Sequence, residues 1–123
     1  MSKSHNYQTK AMHAYKVRRE QLKVLSRALK LQMKSGAIDA ASVNDALIQL
    51  YSNEGHSEFK TFGQWKSLGK SIIKGSTAFT VWGSPQDVKD QEPEGEHDEF
   101  RYWPLCYLFS VKQVQDSPFA EKQ

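Results

Sequence analysis

Residues 59–82 read FKTFGQWKSLGKSIIKGSTAFTVW, and how this stretch folds decides what the rest of the chain can pack against. Thr61 and Gln64 stand three apart, the capping-box spacing in which the threonine hydroxyl takes the amide of Gln64 and the glutamine side chain reaches back. The helix this opens is brief, because Gly69 and Gly75 supply positions where a left-handed or open backbone costs little. Trp65 and Leu68 fall on one side of the turn and are expected to anchor it to a core; Lys66 and Lys70, four apart, share another side. Lys60 precedes that pair and Lys74 follows it. From Phe79 the pattern becomes Phe-Thr-Val-Trp, rich in β-formers and bounded by Gly83-Ser84-Pro85, so a strand leaves the motif.

Upstream, residues 7–34 read as one long helix. Ala11, Tyr15, Leu22, Leu25, Leu29 and Met33 recur at three- and four-residue steps and trace an apolar face. Lys16, Arg19, Lys23, Arg27, Lys30 and Lys34 form a cationic stripe, expected on the opposite face and roughly 27 Å long at ~1.5 Å per residue. Glu20 is the single acid in this helix. Like charges at i,i+4 cost a few tenths of a kcal/mol each, about the size of what opposite pairs gain. A stripe of one sign therefore favours a polyanionic partner over a merely solvated face. Gly36 is a candidate C-terminal stop, and Ser42 with Asp45 makes a second capping pattern. It opens a short helix to about Tyr51 that buries Val43, Ala46, Leu47 and Leu50.

Downstream of Trp82, residues 84–99 hold Asp87, Asp90, Glu92, Glu94, Glu96, Asp98 and Glu99 with Pro85, Pro93 and Gly95. Without apolar periodicity they read as a mobile acidic loop. It is expected to join two antiparallel strands, since residues 100–109 (FRYWPLCYLF) are β-rich again. Pro104 cannot donate to a ladder and points to an edge or a bulge. A last turn is expected at 111–114 and a loose tail at 116–123.

The 123 residues suffice for one domain with a modest core. The net charge of +3 conceals a polarity: residues 1–74 hold thirteen Lys/Arg against five Asp/Glu, and residues 75–123 four against nine. A local basic surface attracts polyanions whatever the total. Cys106 is the only cysteine, so no intrachain disulfide forms, and a reducing, cytoplasmic setting is the simplest expectation. No apolar run approaches the ~18 residues of a membrane span, and Met-Ser-Lys-Ser-His lacks the apolar region of a signal peptide.

No catalytic constellation is expected. Gly69-Lys70-Ser71 echoes a P-loop, but position 64 is Gln where that motif needs Gly, and the helix comes before the Gly-Lys rather than after it. His5, His13, His56 and His97 do not make an H-E-x-x-H pair, and one cysteine cannot build a thiolate metal site. Neither metal nor other cofactor is implied. Cations and aromatics remain. Proteins that hold single strands track phosphates with Lys/Arg and stack bases on aromatic faces. The candidates are Lys60, Lys66, Lys70 and Lys74 in the central motif and Lys16, Arg19, Lys23 and Arg27 on the helix. Trp82, Tyr102, Trp103 and Tyr107 are the candidate stacking platforms, of which one or two are expected to be exposed; Trp65, at helical spacing, is expected in the core.

The order Thr61-Phe62-x-Gln64, Leu68-Gly69, Ile72, Lys74-Gly75, Val81-Trp82 and then Leu108-Phe109-Ser110-Val111-x-Gln113 resembles the N-terminal domain of ArdC-type antirestriction proteins. That family runs T-F-x-Q-x-x-x-L-G, a basic K-G turn, a strand, a variable gap and a strand ending in F-N-x-x-Q; Ser110 stands where it usually has Asn. The resemblance covers about the last half of the chain and, more loosely, the leading helix. It implies single-stranded DNA binding, in proteins carried by plasmids, phages and integrating elements. The metalloprotease-like domain of full-length relatives has no ligand motif here.

The expected fold is therefore α+β, a long N-terminal helix and short helices packed on a small antiparallel sheet. The expected function is non-catalytic binding of single-stranded DNA for a mobile element or phage, without membrane attachment. Two alternatives stay open at this point. One is a protein-interaction module using the acidic loop as a docking or DNA-mimicking strip. The other is a duplex DNA or RNA binder that lays the basic helix along a backbone.

Overall fold

The computed structural model describes residues 3–84, 100 and 103–118, with side chains from residue 10 onward. The acidic stretch 85–99, Arg101, Tyr102 and the end of the tail lie outside the described residues. Three helices come first: α1, Lys3–Ser35; α2, Val43–Asn53; and α3, Phe62–Ser67. Four short strands follow: β1, Lys70–Ile72; β2, Phe79–Trp82; β3, Leu105–Leu108; and β4, Val114–Asp116, the last preceded by a 3-10 turn at Val111–Gln113. The fold is α+β, as the patterns require. The sheet is divided, however. β2 pairs antiparallel with β3, β1 pairs antiparallel with β4, and the two ladders are separate.

Both capping patterns form. Ser42 Oγ accepts from Asp45 N–H at 3.1 Å and starts α2. At α3, Gln64 N–H donates to Thr61 Oγ1 at 3.1 Å while Thr61 N–H donates to Gln64 Oε1 at 2.8 Å, so two amides that the helix itself leaves unpartnered are satisfied. Gly69 then ends the turn at φ 78°, where a side chain would be strained.

The core lies between α1, α2 and the β2–β3 ladder. Leu22 and Leu29 of α1 meet Ala46, Leu47 and Tyr51 of α2, and Val81, Trp82, Phe100 and Leu105 close the other side. Leu47 is fully buried. α2 also stands in for a strand neighbour: Asn44 Nδ2 donates to Trp82 O at 2.8 Å, and Trp82 N–H donates to Asn44 Oδ1 at 2.9 Å. Tyr51 Oη donates to Thr80 O at 2.7 Å, so the β2 backbone is satisfied from the helix side too.

Ala11 and Tyr15 belong to the apolar face by spacing, yet both are exposed, as is every side chain from 10 to 17. At ~1.5 Å per residue α1 is roughly 50 Å long and outruns what packs on it. Leu68 is also out of place against expectation, 58% exposed rather than anchoring α3. Trp65 does that alone: it is buried, and its Nε1 donates to Phe109 O at 2.8 Å.

Candidate nucleic-acid interface

The central motif folds into a small unit of α3, β1 and β4, and the later part of the resemblance ties it to the core. Phe109 O accepts from Lys60 N–H as well as from Trp65 Nε1, and Phe109 N–H returns a bond to Lys60 O. Gln113 Oε1 accepts from Ser110 N–H at 2.8 Å, and Gln113 Nε2 donates to Thr77 O at 2.8 Å. These residues fix the backbone and leave the surface to others. Ser110 Oγ stands 2.6 Å from His56 Nδ1, close enough for a nucleophile–base pair. Yet Ser110 is 0% exposed and no substrate reaches it; the pair is an internal hydrogen bond.

On the surface of this unit, Lys66 at the end of α3 and Lys74 after β1 are exposed, and Lys60 and Lys70 are partly exposed. Lys60 Nζ lies 5.1 Å from the ring centre of Trp65. Lys70 Nζ donates to Asp116 Oδ1 at 2.5 Å; that hydrogen bond and its charge hold the Asp116 carboxyl below the usual range. Part of the Lys70 charge is thus already countered, and Lys66 and Lys74 carry the more open charges. Gly75 has φ 90°, and a Cβ built on it or on Gly63 meets nothing within 4 Å, so the backbone beside these lysines is open. Phe62 is 56% exposed and precedes Lys66 by four residues, which puts the two on one side of α3. Phe62 was not among the expected stacking platforms, although that spacing is visible in the sequence.

The cationic stripe of α1 does not lie opposite the apolar face. At ~100° per residue its centre falls only about 100° from Leu22, on the flank of the buried surface. Lys16, beyond the packed part, is exposed. Arg19 Nη1 donates to Trp103 O at 2.6 Å and Arg19 Nη2 to Phe100 O at 2.5 Å, with the guanidinium 5.2 Å from the Trp82 ring centre. Lys23 is buried at 9% and pairs with Glu20 at 2.8 Å. Arg27 and Lys30 lie over the Phe100 ring at 5.9 and 4.8 Å. Long cationic stems bury easily while their heads find carbonyls and aromatic faces. For Arg19 and Lys23 the expectation of a solvent-facing track is therefore corrected: Arg19 holds α1 against the segment entering β3, and Lys23 is buried beside Glu20 of its own helix.

Among the aromatics, Trp82 is removed as a stacking platform. It is buried at 5%, its ring stacks on Phe100 at 4.5 Å and 2°, and its Nε1 donates to Ser26 Oγ at 2.9 Å. Trp103 is 38% and Tyr107 39% exposed. Tyr107 has the Arg18 guanidinium 5.9 Å from its ring centre, and Arg18 Nη2 also donates to Ala78 O at 2.7 Å. Tyr102 lies outside the described residues. Cys106 packs partly buried against the core, which pushes its thiol pKa up.

Among the described residues no three His, Cys, Asp or Glu side chains gather into a metal-binding group, and no helix is long and apolar enough to cross a membrane. Compared with family models, curated proteins and solved structures, the chain matches none.

Proposed function

We propose that this chain is a non-catalytic single-stranded DNA-binding protein of little sequence preference, serving a mobile element or phage in an antirestriction-related role. The observation that carries the reading is the α3–β1 unit. Lys66 and Lys74 stand exposed beside the open backbone of Gly75, and Phe62 is exposed on the Lys66 side. Phosphates approach closely where a backbone carries no side chain, and lysines there exchange condensed counterions for phosphate contacts. An exposed aromatic beside them offers a face to an unstacked base, which a duplex does not present. The resemblance of the surrounding motif, Phe62, Lys74 and Gly75 included, to ArdC-type domains points the same way. The duplex reading loses its main support, because Arg19 and Lys23 turn inward and break the long straight track along α1.

The test is fluorescence anisotropy with a labelled oligothymidylate, a duplex and an RNA of equal length, each over a salt series. The reading expects the tightest binding to the single-stranded DNA, weakening steeply with salt. Duplex preferred at every salt concentration, or no binding to any of the three, overturns it.

A further inference from the structure

Away from the lysine unit, a cleft of about 240 Å³ opens between α1, the start of α2 and the segment leading into β3. Its lining includes Lys30, Ser42, Asn44, Trp82, Phe100 and Trp103. Its wall is aromatic: Trp82 and Phe100 stack face to face with nearly parallel rings, 2° apart, and both are buried. Trp103, 38% exposed, is the aromatic of the lining that reaches solvent. Lys30 places an ammonium 4.8 Å from the Phe100 ring centre. The polar ends of Asn44 are both taken up by the Trp82 backbone, so the cleft reads shape and π-surface rather than a hydrogen-bonding edge.

We infer that this cleft holds one unstacked nucleobase of a bound single strand, laid against Trp103, with Lys30 drawing the adjoining phosphate. Size favours a single ring system, since pockets for drug-sized ligands run from about 300 to 1,000 Å³. An aromatic wall with a cation beside it suits a base attached to a phosphate, and stacking without an edge to read tolerates any base. The cleft would thus add a base-holding position to the phosphate contacts proposed for Lys66 and Lys74. The inference rests on the proposed single-strand binding.

Two labelled oligomers separate the two claims: a twelve-residue oligothymidylate and its abasic counterpart, with the same phosphates and no bases. Each is titrated with wild type, Trp103→Ala and Trp103→Phe. These substitutions leave the Trp103 carbonyl that Arg19 holds in place. The expected result is that Trp103→Ala weakens oligothymidylate binding roughly five- to one-hundred-fold, leaves abasic binding unchanged, and that Trp103→Phe recovers most of the loss. If wild type binds both oligomers equally tightly, no base is held and the cleft assignment falls while DNA binding stands. Equal losses on both oligomers would make Trp103 a structural support and also overturn it. Binding of neither oligomer by wild type would defeat the single-strand reading itself, and the cleft with it. The wild-type comparison shows whether any base is held, and the Trp103 variants assign it to the cleft rather than to Phe62. The abasic oligomer controls for misfolding, which would weaken binding of both oligomers.

Discussion

Arg19 is the sharpest test of how α1 is held. Its guanidinium spans two backbone carbonyls, Trp103 O at 2.6 Å and Phe100 O at 2.5 Å, and lies over the Trp82 ring. Arg19→Met keeps most of the apolar stem and removes both charge-assisted bonds. Such bonds contribute about 1.5–3 kcal/mol each when buried. The side chain is only partly buried and the Trp103 bond is exposed, so a total of roughly 2–4 kcal/mol, including about 0.5–1 for the cation–π contact, is expected. With a urea slope of about 1.5–2 kcal/mol/M, the midpoint should fall by roughly 1–2.7 M. Arg19→Lys should recover less than half, because an ammonium is a point donor and cannot fork across two carbonyls. Urea unfolding followed by tryptophan fluorescence measures both variants. A midpoint within about 0.3 M of wild type, at unchanged slope, would refute the clasp and return Arg19 to the surface.

Other consequences follow from the same packing. Ser26→Ala leaves the buried Trp82 Nε1 without its acceptor and should cost about 1–3 kcal/mol; in a Trp82→Phe background the same change should cost almost nothing, a non-additivity that a double-mutant cycle reads directly. Gly69→Ala, at φ 78°, should cost about 1–2 kcal/mol, and a melting temperature equal to wild type would show that the turn relaxes. Burial raises the Tyr51 phenol above its ordinary 10.0, against the lowering effect of its bond to Thr80. The folded state therefore favours the neutral phenol, and that stabilising contribution is full below pH about 10 and lost as pH rises through the raised pKa. The urea midpoint should decline above that pH, less steeply in Tyr51→Phe; identical alkaline limbs would contradict the assignment.

Much of the architecture was legible because it is written locally. The Thr61–Gln64 and Ser42–Asp45 spacings announce their helix starts, and the β-formers of 79–82 and 105–108 announce the central ladder. The second ladder was not legible. β1 and β4 are three residues each, and Lys70 meets Asp116 only through the chain's closure over the intervening segment. The strip between Gly69 and Gly75 thus reads as a turn, and its pairing is a non-local event that no short window contains. The α1 stripe misled for a different reason. A row of cations looks solvated by composition, but its angular offset from Leu22 was small enough for arginine stems to fold back onto carbonyls. Trp82 escaped because a four-residue strand with large side chains on both faces does not declare which face is inward. On the candidate surface, the lysines of the central motif and the Phe62–Lys66 spacing are legible in the sequence; which of these side chains stand exposed, and the aromatic cleft, emerge only from packing.

The central claim is that the α3–β1 unit, rather than a track along the α1 stripe, makes the main phosphate contacts, with Lys30 at the cleft the one stripe residue beside the bound strand. The most direct measurement is the salt dependence of oligothymidylate binding for wild type, for Lys66→Ala with Lys74→Ala, and for Lys16→Ala with Lys34→Ala as an equally charged control on exposed positions of α1. If the unit is the site, the first pair should weaken binding at low salt and lower the slope of log K against log salt by about 0.7 for each lysine–phosphate pairing removed. The control pair should leave the slope as it is in wild type. A slope unchanged by the first pair and reduced by the control would contradict the account and move the phosphate path to α1.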